Sequence, residues 1–77
     1  MKVHVVFFGQ LEELTACKEM VIEQVNTTDE LQAQLISQFP KLADFDYLLA
    51  QNQEIVKSNR DLSENDELAL LPPFAGG

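Results

Sequence analysis

Residues 27–40 read TTDELQAQLISQFP, and this stretch decides the fold because it holds the one long helix that the sequence predicts. Thr27 at the N-cap and Glu30 three residues later form a capping box, a side-chain exchange that satisfies the first backbone amides of a helix. Pro40 disfavours helical geometry in the residue before it, so the helix should end at position 39 or earlier. The apolar positions of one helix face are Leu31, Leu35 and Phe39, with Ile36 beside them.

Short β-branched and aromatic runs lie on both sides of this helix, and such runs predict strands. Leu11 and Leu14 are spaced for one or two helical turns over residues 10–14. Leu42 and Phe45 should turn inward from the irregular connection that follows the main helix. The predicted strands cover residues 3–8, 19–25, 47–50, 54–56 and 67–71.

The order of elements is two strands, one main helix and two or three further strands. This order predicts an α+β fold of the β-grasp type, in which a mixed sheet of four or five strands packs on the helix. A ferredoxin-like fold would need a second long helix, and residues 10–15 are too few to supply one. In the β-grasp arrangement the first and last strands lie side by side in parallel at the centre of the sheet.

Alternation along the two central strands predicts which side chains leave the core. Those expected to face the helix are Val3, Val5, Phe7, Leu68 and Leu70. Phe8 and Leu71 then point to the open face, where Ile55 can join them, and we call these three residues the apolar patch. An open sheet face is normally polar, so the patch predicts a surface for a partner protein. The alternatives are a different register or partial cover by residues 10–15.

Acidic residues outnumber basic ones thirteen to five in the 77-residue chain, which gives a formal net charge of −8. This charge would repel nucleic acid and anionic membranes, so we expect neither as a partner, and it would attract a basic protein. No apolar run approaches the roughly 20 residues of a transmembrane helix, and we recognise no signal peptide after Met1. Cys17 is the only cysteine, which fits a reducing cytoplasm.

The residue inventory argues against catalysis by this chain alone. His4 is the single histidine, and a histidine-based dyad or triad could be completed only with a partner residue that the sequence does not reveal. No Cys/His spacing suits a metal. Gly9 is isolated from the other two glycines, so there is no phosphate-binding loop. We interpret Cys17 as an incidental thiol at or near the surface. The expectation is that this chain binds no cofactor and no metal.

Residues 72–77 read PPFAGG and follow the last predicted strand directly. The two prolines cannot donate to a sheet ladder, so they end the strand and send the following residues outward as an extended arm. Gly76 and Gly77 have no Cβ, so they can enter a narrow channel and let a nucleophile approach the last carbonyl closely. We therefore predict a domain over residues 1–71 and a tail over residues 72–77, although a frayed end would explain Gly-Gly alone.

Three segments of the chain resemble one known family. They read VFFGQLEEL at residues 6–14, AQNQEIV at residues 50–56 and NDELALLPPFAGG at residues 65–77. They are similar to the opening, the Asn-Gln stretch and the Pro-Pro…Gly-Gly ending of the small subunit of molybdopterin synthase (MoaD type), a ubiquitin-like sulfur carrier. The resemblance spans essentially the whole chain. Asn65 replaces the usual Gly, which the left-handed tolerance of Asn permits, and Phe74 replaces the usual Val.

The resemblance implies a sulfur-transfer cycle at the Gly77 carboxylate. A ubiquitin-activating-type adenylyltransferase uses ATP to adenylate it, and a sulfur-donating enzyme then converts the adenylate to a thiocarboxylate. The large synthase subunit receives the tail and supplies the catalytic side chains, in a complex expected to be a heterotetramer. This chain would be a cosubstrate and not an enzyme by itself. The implied tail-insertion residues are Pro72, Pro73, Phe74, Ala75 and Gly76, and the implied docking residues are Phe8, Ile55 and Leu71.

Other functions remain open at this point. The thiamine-pathway sulfur carrier (ThiS type) shares the fold, an Asn-Gln stretch and the Gly-Gly end, but usually lacks both the turn between strands 1 and 2 and the proline pair. A protein modifier that conjugates to lysines ranks third. An interaction domain with a passive tail would keep its activity when Gly76 and Gly77 are deleted.

Overall fold

The structure, a computed structural model, describes residues 1–73. Its elements are β1 (Val3–Phe7), α1 (Gln10–Thr15), β2 (Glu19–Ile22), α2 (Thr28–Gln38), a 3-10 helix (Pro40–Asp44), β3 (Leu48–Gln51), β4 (Glu54–Ile55) and β5 (Glu67–Leu71). Two strands, a main helix and three further strands confirm the predicted α+β order. Within residues 1–73, no helix has the length and apolar character needed to cross a membrane.

The strands form one mixed sheet in the order β2-β1-β5-β3-β4. β1 and β5 are adjacent and parallel, with Val5 opposite Leu68. The other neighbouring pairs are antiparallel. The predicted parallel pairing of the first and last strands is confirmed, and both strands end at the same edge of the sheet.

The core lies between the sheet and α2. Alternate residues of β1 and β5 supply its sheet side, and all five side chains predicted to face inward are at most 1% exposed. Leu31 and Leu35 of α2 are fully buried against them. Phe39, just after α2, meets Phe7 edge to face with ring centroids 6.2 Å apart. A pair of this kind adds about 0.5–1.5 kcal/mol beyond the burial of its surface.

The N-terminus of α2 is capped as predicted, with one shift of partner. The Thr27 hydroxyl accepts a hydrogen bond from the Glu30 amide at 3.2 Å. The Glu30 carboxylate accepts from the Asn26 amide at 2.8 Å, one residue earlier than a standard capping box. Asn59 adds a cap from a distant loop, because its Oδ1 accepts from the Asp29 amide at 2.9 Å.

Two local predictions were wrong. Phe45 does not turn inward but is 40% exposed, whereas Leu42 is buried as expected. The reason is that the chain leaves the 3-10 helix at Phe45 in an extended conformation, which directs that side chain away from the core. β2 stops at Ile22 and not at Val25, because Gln24 adopts a left-handed backbone with φ 64°. Val25 still reaches the core from the loop.

Candidate functional site

The three residues of the apolar patch lie together on the open face of the sheet. Phe8 follows β1 and is 46% exposed, and Ile55 in β4 is 44% exposed. Leu71, the last residue of β5, is partly buried. All three line one open concavity of about 290 Å³, whose other lining residues are Ala50, Gln53, Glu67 and Ala69. The predicted patch is therefore one continuous surface, and its use as a partner interface stays a prediction.

The strand register explains why this surface is concave. Ala69 of β5 lies opposite Val6 on one side and Ala50 on the other, and Ala50 lies opposite Ile55. Residues paired in this way point to the same face, so the small alanines form a floor between larger side chains. Such a floor can receive a side chain from a partner without displacing the sheet.

Leu48 belongs to the same face and was missed at the level of sequence. It lies opposite Leu71 in the β3–β5 pair and is 38% exposed. Its neighbour Leu49 is 5% exposed, so alternation from Leu49 was the signal that could have found it. With Leu48 included, the exposed apolar surface reaches the start of β3.

The chain leaves the sheet beside this patch, at Pro72 and Pro73. Pro72 directly follows Leu71 and is partly buried, and Pro73 is exposed. Gly9 has φ 57°, and a Cβ built on it would lie 2.9 Å from Cγ of Pro72. Glycine is therefore the residue that allows the first tail residue to pack against the end of β1. The predictions for Phe74, Ala75, Gly76 and Gly77 lie outside the described residues.

A polar cluster borders the patch at the β3–β4 hairpin. Asp66 is 8% exposed, and its carboxylate accepts hydrogen bonds from the Gln51 side chain at 2.8 Å and the Ser63 amide at 2.7 Å. It also accepts one from the Asn52 side chain at 2.9 Å. Burial alone would raise the pKa of Asp66, but the hydrogen bonds from Asn52, Ser63 and Gln51 outweigh it and hold the pKa below its usual value. This carboxylate is thus stably ionised and serves the structure.

The remaining candidate reactive side chains are isolated from one another. His4 is exposed on the open face, with Nε2 3.9 Å from a Glu19 carboxylate oxygen. Cys17 is partly buried, and its thiol donates to the Glu19 carbonyl. In residues 1–73, no three side chains of His, Cys, Asp or Glu converge in a way that could hold a metal ion.

Comparisons with known proteins agree with this architecture. The ThiS family model matches residues 5–77. The molybdopterin synthase sulfur carrier subunit of Mycobacterium tuberculosis is 38% identical over 84 residues, an alignment that covers 100% of this chain and 99% of the relative.

Solved structures show the same fold. In the Helicobacter pylori complex of subunits 1 and 2 of molybdopterin-converting factor, the matching chain has a TM-score of 0.77 and 30% identity, with 100% of both chains covered. SAMP1 from Haloferax volcanii has a TM-score of 0.84 at 21% identity, again with 100% of both chains covered, and supports the fold alone. The family match over nearly the whole chain and the full-length relatives show that this chain belongs to the ThiS family, together with the molybdopterin synthase sulfur carrier subunits.

Proposed function

We propose that this chain is the sulfur carrier subunit of molybdopterin synthase and that Gly77 carries the sulfur. The observation that carries the proposal is the full-length similarity to the Mycobacterium tuberculosis subunit named for this role. The Helicobacter pylori complex of subunits 1 and 2 supports a large-subunit partner. The apolar patch beside the tail exit provides a surface on which such a partner can dock while it receives the tail.

The proposed chemistry begins with activation of the Gly77 carboxylate. In the active site of a ubiquitin-activating-type enzyme, a carboxylate oxygen attacks the α-phosphorus of ATP and pyrophosphate leaves. The resulting acyl adenylate is a mixed anhydride with a good leaving group. A hydrosulfide equivalent from a sulfur-donating enzyme displaces AMP and leaves a thiocarboxylate. In the synthase, this sulfur attacks a pterin precursor to give a thioester. Hydrolysis of its acyl–sulfur bond returns Gly77 as a carboxylate and leaves the sulfur for the dithiolene of molybdopterin.

In this scheme the chain is the sulfur-donating subunit of a transferase complex and not an enzyme alone. The large subunit supplies the catalytic side chains, and the tail positions the sulfur among them. In the proposal, Pro72 and Pro73 stiffen the start of the arm and Phe74 and Ala75 form its sides. Gly76 keeps its end narrow enough for the channel of the large subunit. We place the complex in the cytoplasm, where ATP is available and a single cysteine stays reduced.

Tandem mass spectrometry of the C-terminal peptide tests this function. The chain is expressed with its native activating and sulfur-transfer enzymes and cleaved with trypsin, which cuts after Arg60 and releases residues 61–77. Because that peptide contains neither Met nor Cys, oxidation of those residues cannot imitate the signal. We expect sulfur in place of one oxygen at Gly77, and no such species in a matched variant without Gly76 and Gly77. An unmodified carboxylate from cells with active partner enzymes would contradict the proposal.

The thiamine-pathway carrier is the alternative, since the matching family model bears its name. The α1 turn at Gln10–Thr15 and the proline pair favour the molybdopterin pathway. A deletion strain assayed separately for molybdoenzyme activity and for thiamine requirement distinguishes the two. Loss of molybdoenzyme activity without thiamine auxotrophy is expected, and the reverse result would assign the chain to the thiamine pathway.

A further inference from the structure

The β3–β4 hairpin turns in a conformation that Asn52 favours but Gln53 does not. Asn52 and Gln53 form a two-residue turn with φ of 48° and 72°. Both residues of such a turn are left-handed, as in a type I′ turn, and the second position normally holds glycine. The left-handed conformation is strained for residues with a Cβ other than Asn and Asp, and Gln53 is such a residue. Contacts outside the turn must therefore stabilise the turn in this conformation.

Asn52 makes those contacts to the start of β5. Its amide donates to the Glu67 carbonyl at 2.7 Å, and its side-chain oxygen accepts from the Glu67 amide at 3.0 Å. Its side-chain nitrogen donates to the Asp66 carboxylate at 2.9 Å. Three hydrogen bonds, one of them to a charged acceptor, thus fasten the turn to a central strand.

The Asp66 carboxylate is itself fixed from a second side. Gln51 donates through Nε2 to this carboxylate and to the Asp61 carbonyl, at 2.8 and 3.0 Å. Within residues 1–73, Oε1 of Gln51 is buried without a hydrogen-bond partner, which has a free-energy cost. Consecutive residues of the hairpin, Gln51 and Asn52, therefore hold the same ionised group.

The anchored turn leads directly into Ile55 of the apolar patch. β4 has only two residues and lies at the edge of the sheet, where it pairs with β3 through two residue pairs. So short an edge strand has little pairing of its own to fix the direction of Ile55. Building on the proposed function, we propose that the Asn52–Asp66 pair is a positioning device that sets Ile55 against Phe8 and Leu71 for docking of the large synthase subunit.

The first test measures the position of Ile55 in the free protein. Asn52→Gly keeps a residue suited to the left-handed turn and removes the side chain that reaches Asp66. In methyl NMR spectra we expect the Ile55 signals to shift and broaden and those of Leu31 to stay. Amide exchange at Val56, which donates to the Leu49 carbonyl, should accelerate by about tenfold or more relative to the core. An unchanged Ile55 environment would overturn the proposal.

The second test is a double-mutant cycle on binding of the large subunit. We expect Asn52→Gly and Ile55→Ala each to weaken binding by roughly tenfold, and the double variant by only about twentyfold. The effects should overlap because Asn52→Gly misplaces the Ile55 side chain that Ile55→Ala removes. Asn59→Ala is the control, since it removes a cap of α2 and lowers stability away from the patch. It should leave the dissociation constant unchanged.

If the double variant weakened binding by about a hundredfold, the product of the two single effects, the residues would act independently and the proposal would be overturned. Equal weakening by Asn59→Ala would also overturn it, since the effect would follow stability. Failure of the wild-type chain to bind the large subunit contradicts the proposed function. The NMR comparison distinguishes that result from a failure of positioning, because it uses the free protein.

Discussion

Asp66 remains ionised in a place where burial disfavours charge. The hydrogen bonds from Asn52, Ser63 and Gln51 stabilise the ionised form in the folded state, so its pKa there lies below the usual 3.8. A depressed pKa contributes stability that is fully present above the unfolded-state pKa and is lost as the pH falls through the folded-state pKa. The wild-type chain should therefore lose this contribution below about pH 4.

Urea unfolding of Asp66→Asn and wild type between about pH 7 and pH 2.5 measures this contribution. The variant should be less stable at neutral pH. Its side-chain nitrogen is a donor, and it would face surrounding groups that also donate, where the carboxylate oxygen of Asp66 accepts. The gap in free energy of unfolding should stay constant above about pH 5 and shrink below pH 4. Other carboxylates titrate in both proteins, so they cancel in the difference. A gap that does not change with pH would show that the charge of Asp66 contributes nothing.

Among the elements, the end of β1 places a core residue, Phe7, directly before a residue proposed for docking, Phe8. Phe7 is 1% exposed and packs on Phe39, whereas Phe8 is 46% exposed and lines the concavity. We expect Phe7→Ala to lower the free energy of unfolding by about 3–5 kcal/mol and Phe8→Ala by less than about 1 kcal/mol. Denaturant unfolding measures both. Similar losses for the two variants would mean that Phe8 belongs to the core.

The same element shows what a sequence can predict. Alternation in β1 and β5 assigns each side chain to a face, because the period of a strand is fixed by its backbone. The places of Phe8 and Leu71 in the apolar patch follow directly from that period, whereas that of Ile55 depends on where β4 pairs. The exposure of Leu48 follows from the same period, because its neighbour Leu49 is a core residue.

Contacts between distant segments are harder to predict. The Asp66 cluster joins residues 14 and 15 positions apart, and the Asn59 cap lies 30 positions from Asp29. No local spacing encodes such pairs, since they depend on how the loops meet after the sheet forms. Phe45 was placed wrongly for a related reason: its direction depends on where the 3-10 helix ends.

At the scale of the whole molecule, the proposed docking predicts separate roles for charge and apolar surface. A chain with a net charge of −8 attracts a basic partner over several ångströms, and this attraction weakens with salt. The apolar patch acts only in contact and is insensitive to salt screening. We expect the large subunit to present a basic surface to this chain, so that the charge sets the rate of encounter and the patch sets the lifetime of the complex.

Stopped-flow measurements with the large subunit separate the two contributions. Raising NaCl from about 20 to about 200 mM should lower the association rate constant by roughly tenfold and change the dissociation rate constant by less than about twofold. Phe8→Ala should do the opposite: faster dissociation by about tenfold or more, with little change in association. The comparison relies on Phe8 being an uncharged residue whose removal leaves the net charge unchanged. If salt changed mainly dissociation, ion pairs inside the interface would hold the complex, and the patch would be the lesser contributor to its lifetime.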